Sequence, residues 1–114
     1  VCHAIGSPLT LYWGVEHGQA VGITLVPFLR WVAPVIEHKL APLYGALGVS
    51  NLEAAVNRIQ TIMALCGLET KLSNLGIKME EMDLLINNIR WDRMGVLPRS
   101  IGRDETVELL QSIF

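Results

Sequence analysis

Charge is scarce in this chain of 114 residues: Asp, Glu, Lys and Arg make up 18% of it, against 51% hydrophobic residues. A disordered segment needs the opposite balance, so disorder is excluded. Nine basic residues face eleven acidic ones, for a net charge of -2 and a pI near 5.9, without a Lys/Arg cluster. Nucleic acid is therefore not an expected partner, because phosphates are recognised by basic patches. Cysteine is nearly absent: Cys2 and Cys66 form no CxxC pair and are too few for a disulfide framework, so they read as reduced thiols of a cytoplasmic protein. No basic leader and no initiating Met mark a signal peptide. The longest apolar region, Gly18 to Ile36, is interrupted by Gln19, Pro27, Arg30 and Pro34. That is poor for a bilayer span of about 20 apolar residues, so no membrane partner is expected.

Alternating strand-like runs and internal repeats are missing too, and what remains is helical periodicity. From Asn51 to Cys66, apolar residues Leu52, Ala55, Val56, Ile59, Ile62, Met63 and Cys66 recur at three and four. Ser50 is the expected cap of that helix, Glu53 completes a capping box, and Gly67 supplies a left-handed stop. Upstream, Pro34 suits the first turn of a helix that runs to about Leu47 and ends at Gly48. The stretch from Gly18 to about Trp31 is apolar nearly all round, which predicts a buried helix kinked or broken at Pro27. Downstream, the pattern predicts a single turn at Ser73–Leu75, a helix from Met79 to about Ile89 facing inward through Met82, Leu85, Ile86 and Ile89, and a closing helix from about Asp104 to Ile113. The fold class is all-α, with residues 1–114 as one helical domain. The low charge and the motif-like start at Val1 lead to the expectation that part of the apolar surface rests on a region outside this chain.

Three histidines are present: His3, His17 and His38. On one straight helix, His3 and His17 would stand about 21 Å apart at 1.5 Å per residue, too far to share an ion. Gly6, Pro8 and Gly14 are expected to break the helix and turn the chain back, so that Gly14–Gly18 returns the second imidazole towards the first. Two imidazoles are fewer than the three or more protein ligands of a catalytic zinc or ferrous site. On spacing alone, structural histidines remain the competing reading. His38 reads as a solvated helix residue, Cys66 as a small core hydrophobe, and Met79, Met82 and Met94 as packing residues. Trp13, Trp31 and Trp91 read as core or interdomain anchors, and Arg99 as a helix-end salt bridge.

The stretch His3-Ala4-Ile5-Gly6-Ser7-Pro8-Leu9-Thr10, followed by Gly14-Val15-Glu16-His17-Gly18-Gln19-Ala20, resembles the C-terminal metal-binding region of the iron-containing alcohol dehydrogenases. The likeness continues through Leu29-Arg30-Trp31 and Ala33-Pro34, loosens between Lys78 and Val96, and returns at Pro98-Arg99 and the closing helix. It implies a dehydroquinate synthase-like architecture, in which a nucleotide-binding α/β domain precedes an all-helical domain and the active site lies between them. It further implies that His3 and His17 are two metal ligands, the others, an Asp and a His, lying on an upstream helix that this chain lacks. The implied cofactors are Fe2+, with Zn2+ as the alternative, and NAD(P). The implied partners are the N-terminal nucleotide-binding domain, a small alcohol or aldehyde substrate and further copies of the intact protein. The chain alone is expected to be inactive.

Ser7 stands where many members of that family place a pocket histidine, so it is the expected substrate-binding residue, with a turn residue before Pro8 as the equal alternative. A hydroxyl bonds to a substrate but does not replace an imidazole as acid or base near neutral pH. The segment from His17 to Val21 is also similar to that of zinc-type glycerol dehydrogenases and dehydroquinate synthases, which usually carry an acidic residue where Gln19 stands. A non-catalytic helical interaction module is the alternative from another class.

Overall fold

A computed structural model describes residues 1–114 and contains helices and turns but no strand, in agreement with the all-α reading. Seven α-helices follow one another: α1 (Cys2–Trp13), α2 (His17–Gly22), α3 (Leu25–Ile36), α4 (Ala41–Leu47), α5 (Leu52–Leu65), α6 (Met82–Asn87) and α7 (Arg103–Gln111). Short 3-10 turns at Glu37–Lys39, Ser73–Leu75, Met79–Glu81 and Trp91–Val96 join several of them. The overall extents of 38 × 31 × 19 Å make a slab about two helix diameters thick.

The main core draws Ala4, Ile5 and Leu9 from α1, Ala20 from α2, Met82, Leu85 and Ile86 from α6, and Leu110 from α7. The inward face expected for residues 79–89 is therefore the observed one, Ile89 included. Around α3 and α5, which pack on each other, Val26, Val32, Ala33, Ala55, Val56 and Met63 are buried. By length and composition alone, His17–Lys39 is apolar enough to cross a membrane. Here it is divided between α2, α3 and a 3-10 turn, and half of its most apolar window is buried within the protein. Core packing accounts for the apolarity of that buried half. The break falls at Ile23–Thr24, and Pro27 then sits in the first turn of α3, where its missing N–H costs nothing.

Several local expectations are corrected. Pro34 lies near the end of α3 rather than opening the next helix; Pro42 holds that place in α4. α5 is capped by Asn51, whose side chain accepts from the Ala54 N–H at 2.9 Å, so Ser50 is not the cap and Glu53 completes no box. Glu53 instead pairs through both carboxylate oxygens with Arg30 of α3. The stops at Gly48 and Gly67 are as read, with φ of 66° and 71°. Cys66 is exposed rather than core, as are Ile62 and Met79, because α5 is covered along a narrower stripe than its periodicity implies and Met79 opens a surface 3-10 turn. Arg99 makes no salt bridge: its guanidinium lies 3.8 Å from the centre of the Trp31 ring and donates to the Trp31 carbonyl at 3.2 Å.

Candidate metal centre

The largest correction concerns α1, which runs through Gly6 and Pro8 without interruption. The reversal is made by Gly14 alone, which caps the helix with φ 67°; its N–H bonds the Thr10 carbonyl at 3.1 Å, and the following Val15 N–H bonds the Leu9 carbonyl at 3.4 Å. Three residues later α2 begins at His17 and packs back against α1. Gly6 lets the two helices approach closely. A Cβ on it would stand 3.1 Å from the backbone carbon and oxygen of Ala20 and 3.0 Å from a Val21 methyl. The glycine that reads as a breaker is thus a packing residue, and it holds the helix of His17 against the helix of His3.

The consequence is that the imidazoles of His3 and His17, fourteen positions apart in sequence, have ring centres 5.2 Å apart with planes tilted by 54°. Both are exposed. An ion about 2.0–2.1 Å from one nitrogen of each ring, at roughly the tetrahedral angle, would place the ring centres about 5 Å apart, which is the spacing the two rings have. No third His, Cys, Asp or Glu joins them in a cluster. His38 is exposed on the 3-10 turn after α3 and takes no part.

Along the same exposed face of α1, His3 is followed by Ser7 and Leu11, each one turn further on. The Ser7 hydroxyl donates to the His3 carbonyl at 2.8 Å. Beside it lies a cavity of about 220 Å³ lined by Ser7, Pro8, Leu11, Tyr12, Asn88 and Arg90. Tyr12 donates its hydroxyl to the Asn88 side-chain oxygen at 2.8 Å, which ties α1 to the end of α6.

Gln19, buried at 9% exposure, is a residue whose function the sequence did not disclose. Its amide nitrogen donates to the Glu69 carbonyl at 2.9 Å, and its oxygen accepts from the Glu69 N–H at 2.7 Å. This two-bond clamp fastens α2, two residues after His17, to the loop that follows α5. A carboxylate at that position has no proton to offer the Glu69 carbonyl at neutral pH.

Comparison with known proteins agrees with this architecture. Residues 1–114 match the family model described as the C-terminal part of the Fe-containing alcohol dehydrogenase family. A phosphonoacetaldehyde reductase of Streptomyces viridochromogenes is 30% identical over 96% of this chain, and an NADP-dependent alcohol dehydrogenase 3 of Entamoeba histolytica is 26% identical over 98% of it. The chain spans about 30% of the length of each relative. The solved structure of a 1,3-propanediol oxidoreductase superposes with a TM-score of 0.81 at 21% identity, over 99% of this chain and 32% of that one, which shows the shared fold. A family match along the whole chain, on a helical fold that brings His3 and His17 together, places this protein in the C-terminal domain family of the iron-containing alcohol dehydrogenases.

Proposed function

We propose that this chain is the helical domain of a metal-dependent, NAD(P)-linked alcohol dehydrogenase that interconverts a small alcohol and an aldehyde or ketone. The observation that carries the reading is the 5.2 Å approach of the His3 and His17 rings on an exposed face. Two exposed imidazoles so placed are half of a site, and an Asp and a His on an upstream helix would supply the remainder. The names of both relatives, an aldehyde reductase and an NADP-dependent alcohol dehydrogenase, support the reaction class.

A reduced nicotinamide, held by the upstream domain, would supply the hydride for the aldehyde carbon when bound. A divalent ion, ferrous iron or zinc, supplies Lewis-acid polarisation of the carbonyl when it is bound. His3 and His17 would hold it, each donating one ring nitrogen. Ser7, a turn beyond His3, lines the substrate side and holds its hydroxyl fixed on the His3 carbonyl, leaving its oxygen lone pairs free to accept from a substrate. It is a binding residue and not a proton donor of imidazole type. Self-association of the intact enzyme and a cytoplasmic location belong to the same proposal.

The test uses the intact protein that carries this chain. Stripped of metal and reconstituted with Fe2+ or Zn2+, it is expected to reduce short aldehydes with NADH or NADPH, and His17→Ala is expected to lose that activity while nicotinamide binding persists. Nicotinamide-linked turnover that survives unchanged in His17→Ala would refute the assignment.

A further inference from the structure

We infer that Arg90 makes the cavity beside Ser7 selective for an aldehyde that carries an anionic group at its far end; this rests on the dehydrogenase reading above. Arg90 is distant in sequence from the histidines, and Pro8 is what brings it near. Inside α1, Pro8 has no N–H to give the Ala4 carbonyl, which a normal helix residue would occupy. The Arg90 backbone N–H takes that carbonyl at 3.3 Å. The start of the 91–96 turn is thereby fastened to α1 at the residue next to His3, and Arg90 lines the cavity together with Ser7 and Leu11.

The chemistry of that wall favours an anion. The Tyr12 hydroxyl and the Ser7 hydroxyl already donate, to Asn88 and to the His3 carbonyl. The donors left over are both N–H groups of Arg90 Nη1 and the second N–H of Nη2, since Asp92 engages only Nε and one N–H of Nη2, together with the second N–H of the Asn88 amide, whose first goes to the Leu84 carbonyl. Asp92 restrains the guanidinium in one orientation, and with Arg93 alongside, residues 90–93 keep a net charge of +1. Pro8, Leu11 and the Tyr12 ring offer apolar surface for a short alkyl chain between the reacting carbon and that charge. A cavity of about 220 Å³ suits a chain of a few carbons ending in a carboxylate or phosphonate.

The experiment compares 4-oxobutanoate with butanal, two aldehydes that differ only in a terminal carboxylate, in the intact reconstituted enzyme. Wild type is expected to favour 4-oxobutanoate in kcat/KM. Arg90→Gln should reduce the ratio of the two values about 10- to 100-fold, the range of one charge-assisted hydrogen bond. Asp92→Asn, which frees the other edge of the guanidinium, should raise the ratio, so that the two variants move the same readout in opposite directions. In parallel, calorimetric titration with 4-hydroxybutanoate should show binding that Arg90→Gln weakens about tenfold or more. If neither aldehyde is reduced, the dehydrogenase reading fails while the titration still decides whether Arg90 holds the anion. A ratio and a titration both unmoved by Arg90→Gln overturn the inference.

Discussion

Replacing Gln19 by Glu isolates one hydrogen bond next to the candidate ligand His17. The change keeps the side-chain length and the acceptor for the Glu69 N–H but removes the donor to the Glu69 carbonyl, which then faces a carboxylate. A loss of about 1–3 kcal/mol is expected, because an unsatisfied buried acceptor costs more than a hydrogen bond contributes. Chemical denaturation of the intact Gln19→Glu protein measures it, and a midpoint equal to wild type would show that the clamp is slack. No local signal in the sequence announces the clamp, since its partner lies fifty residues away and is a backbone group. Arg99 eluded the sequence for a similar reason: an exposed arginine near a helix start suggests an ion pair, whereas the aromatic face it covers belongs to Trp31, on α3.

The pairing of α1 and α2 concentrates the structural demand on two glycines. Gly6→Ala drives a methyl into the Ala20 backbone, which cannot yield as a side-chain end could, and is expected to destabilise by about 1–3 kcal/mol and to spread the two histidines apart. Gly14→Ala meets no atom within 4 Å but is forced to φ 67°, so its cost, about 1 kcal/mol, is purely conformational. If metal affinity follows the approach of the helices, Gly6→Ala weakens it more than Gly14→Ala does at equal loss of stability; equal effects on affinity would contradict that. At the start of α6, the backbone N–H of Lys78 donates to Glu81 at 2.8 Å and is the chief reason its carboxyl titrates below the usual value. The contribution is present above the unfolded value, about pH 4.3, and is lost as pH falls through the lower folded one. Glu81→Gln should flatten the acid limb of the stability curve, as followed by helical circular dichroism against pH, and an unchanged limb would mean that the cap contributes nothing. Element existence was legible wherever apolar periodicity met a positive-φ glycine, as in α5 with Gly67. It failed where glycine or proline inside α1 looked like punctuation, because a glycine needed for close helix approach and one needed for a turn are the same letter. The meeting of His3 and His17 was foreseeable from a reversal near Gly14, but the number of breaks was not.

Taken whole, the molecule leaves large apolar side chains in water: Leu65 is 83% exposed, Val96 77% and Leu11 75%. With so little charge to offset them, the chain expressed alone is expected to self-associate and bind hydrophobic dyes. Sedimentation at high concentration checks this, and a monodisperse monomer that binds no dye would count against an interdomain role for those surfaces. The central claim, that the α1–α2 pair presents half of a divalent metal site, is open to one direct measurement. Metal content and X-ray absorption of the intact protein should show one iron or zinc per chain with imidazole nitrogen at about 2.0–2.1 Å. His3→Ala and His17→Ala should each lose most of that metal while keeping wild-type helical content. Full metal content in both variants, with the imidazole signal unchanged, would contradict the account.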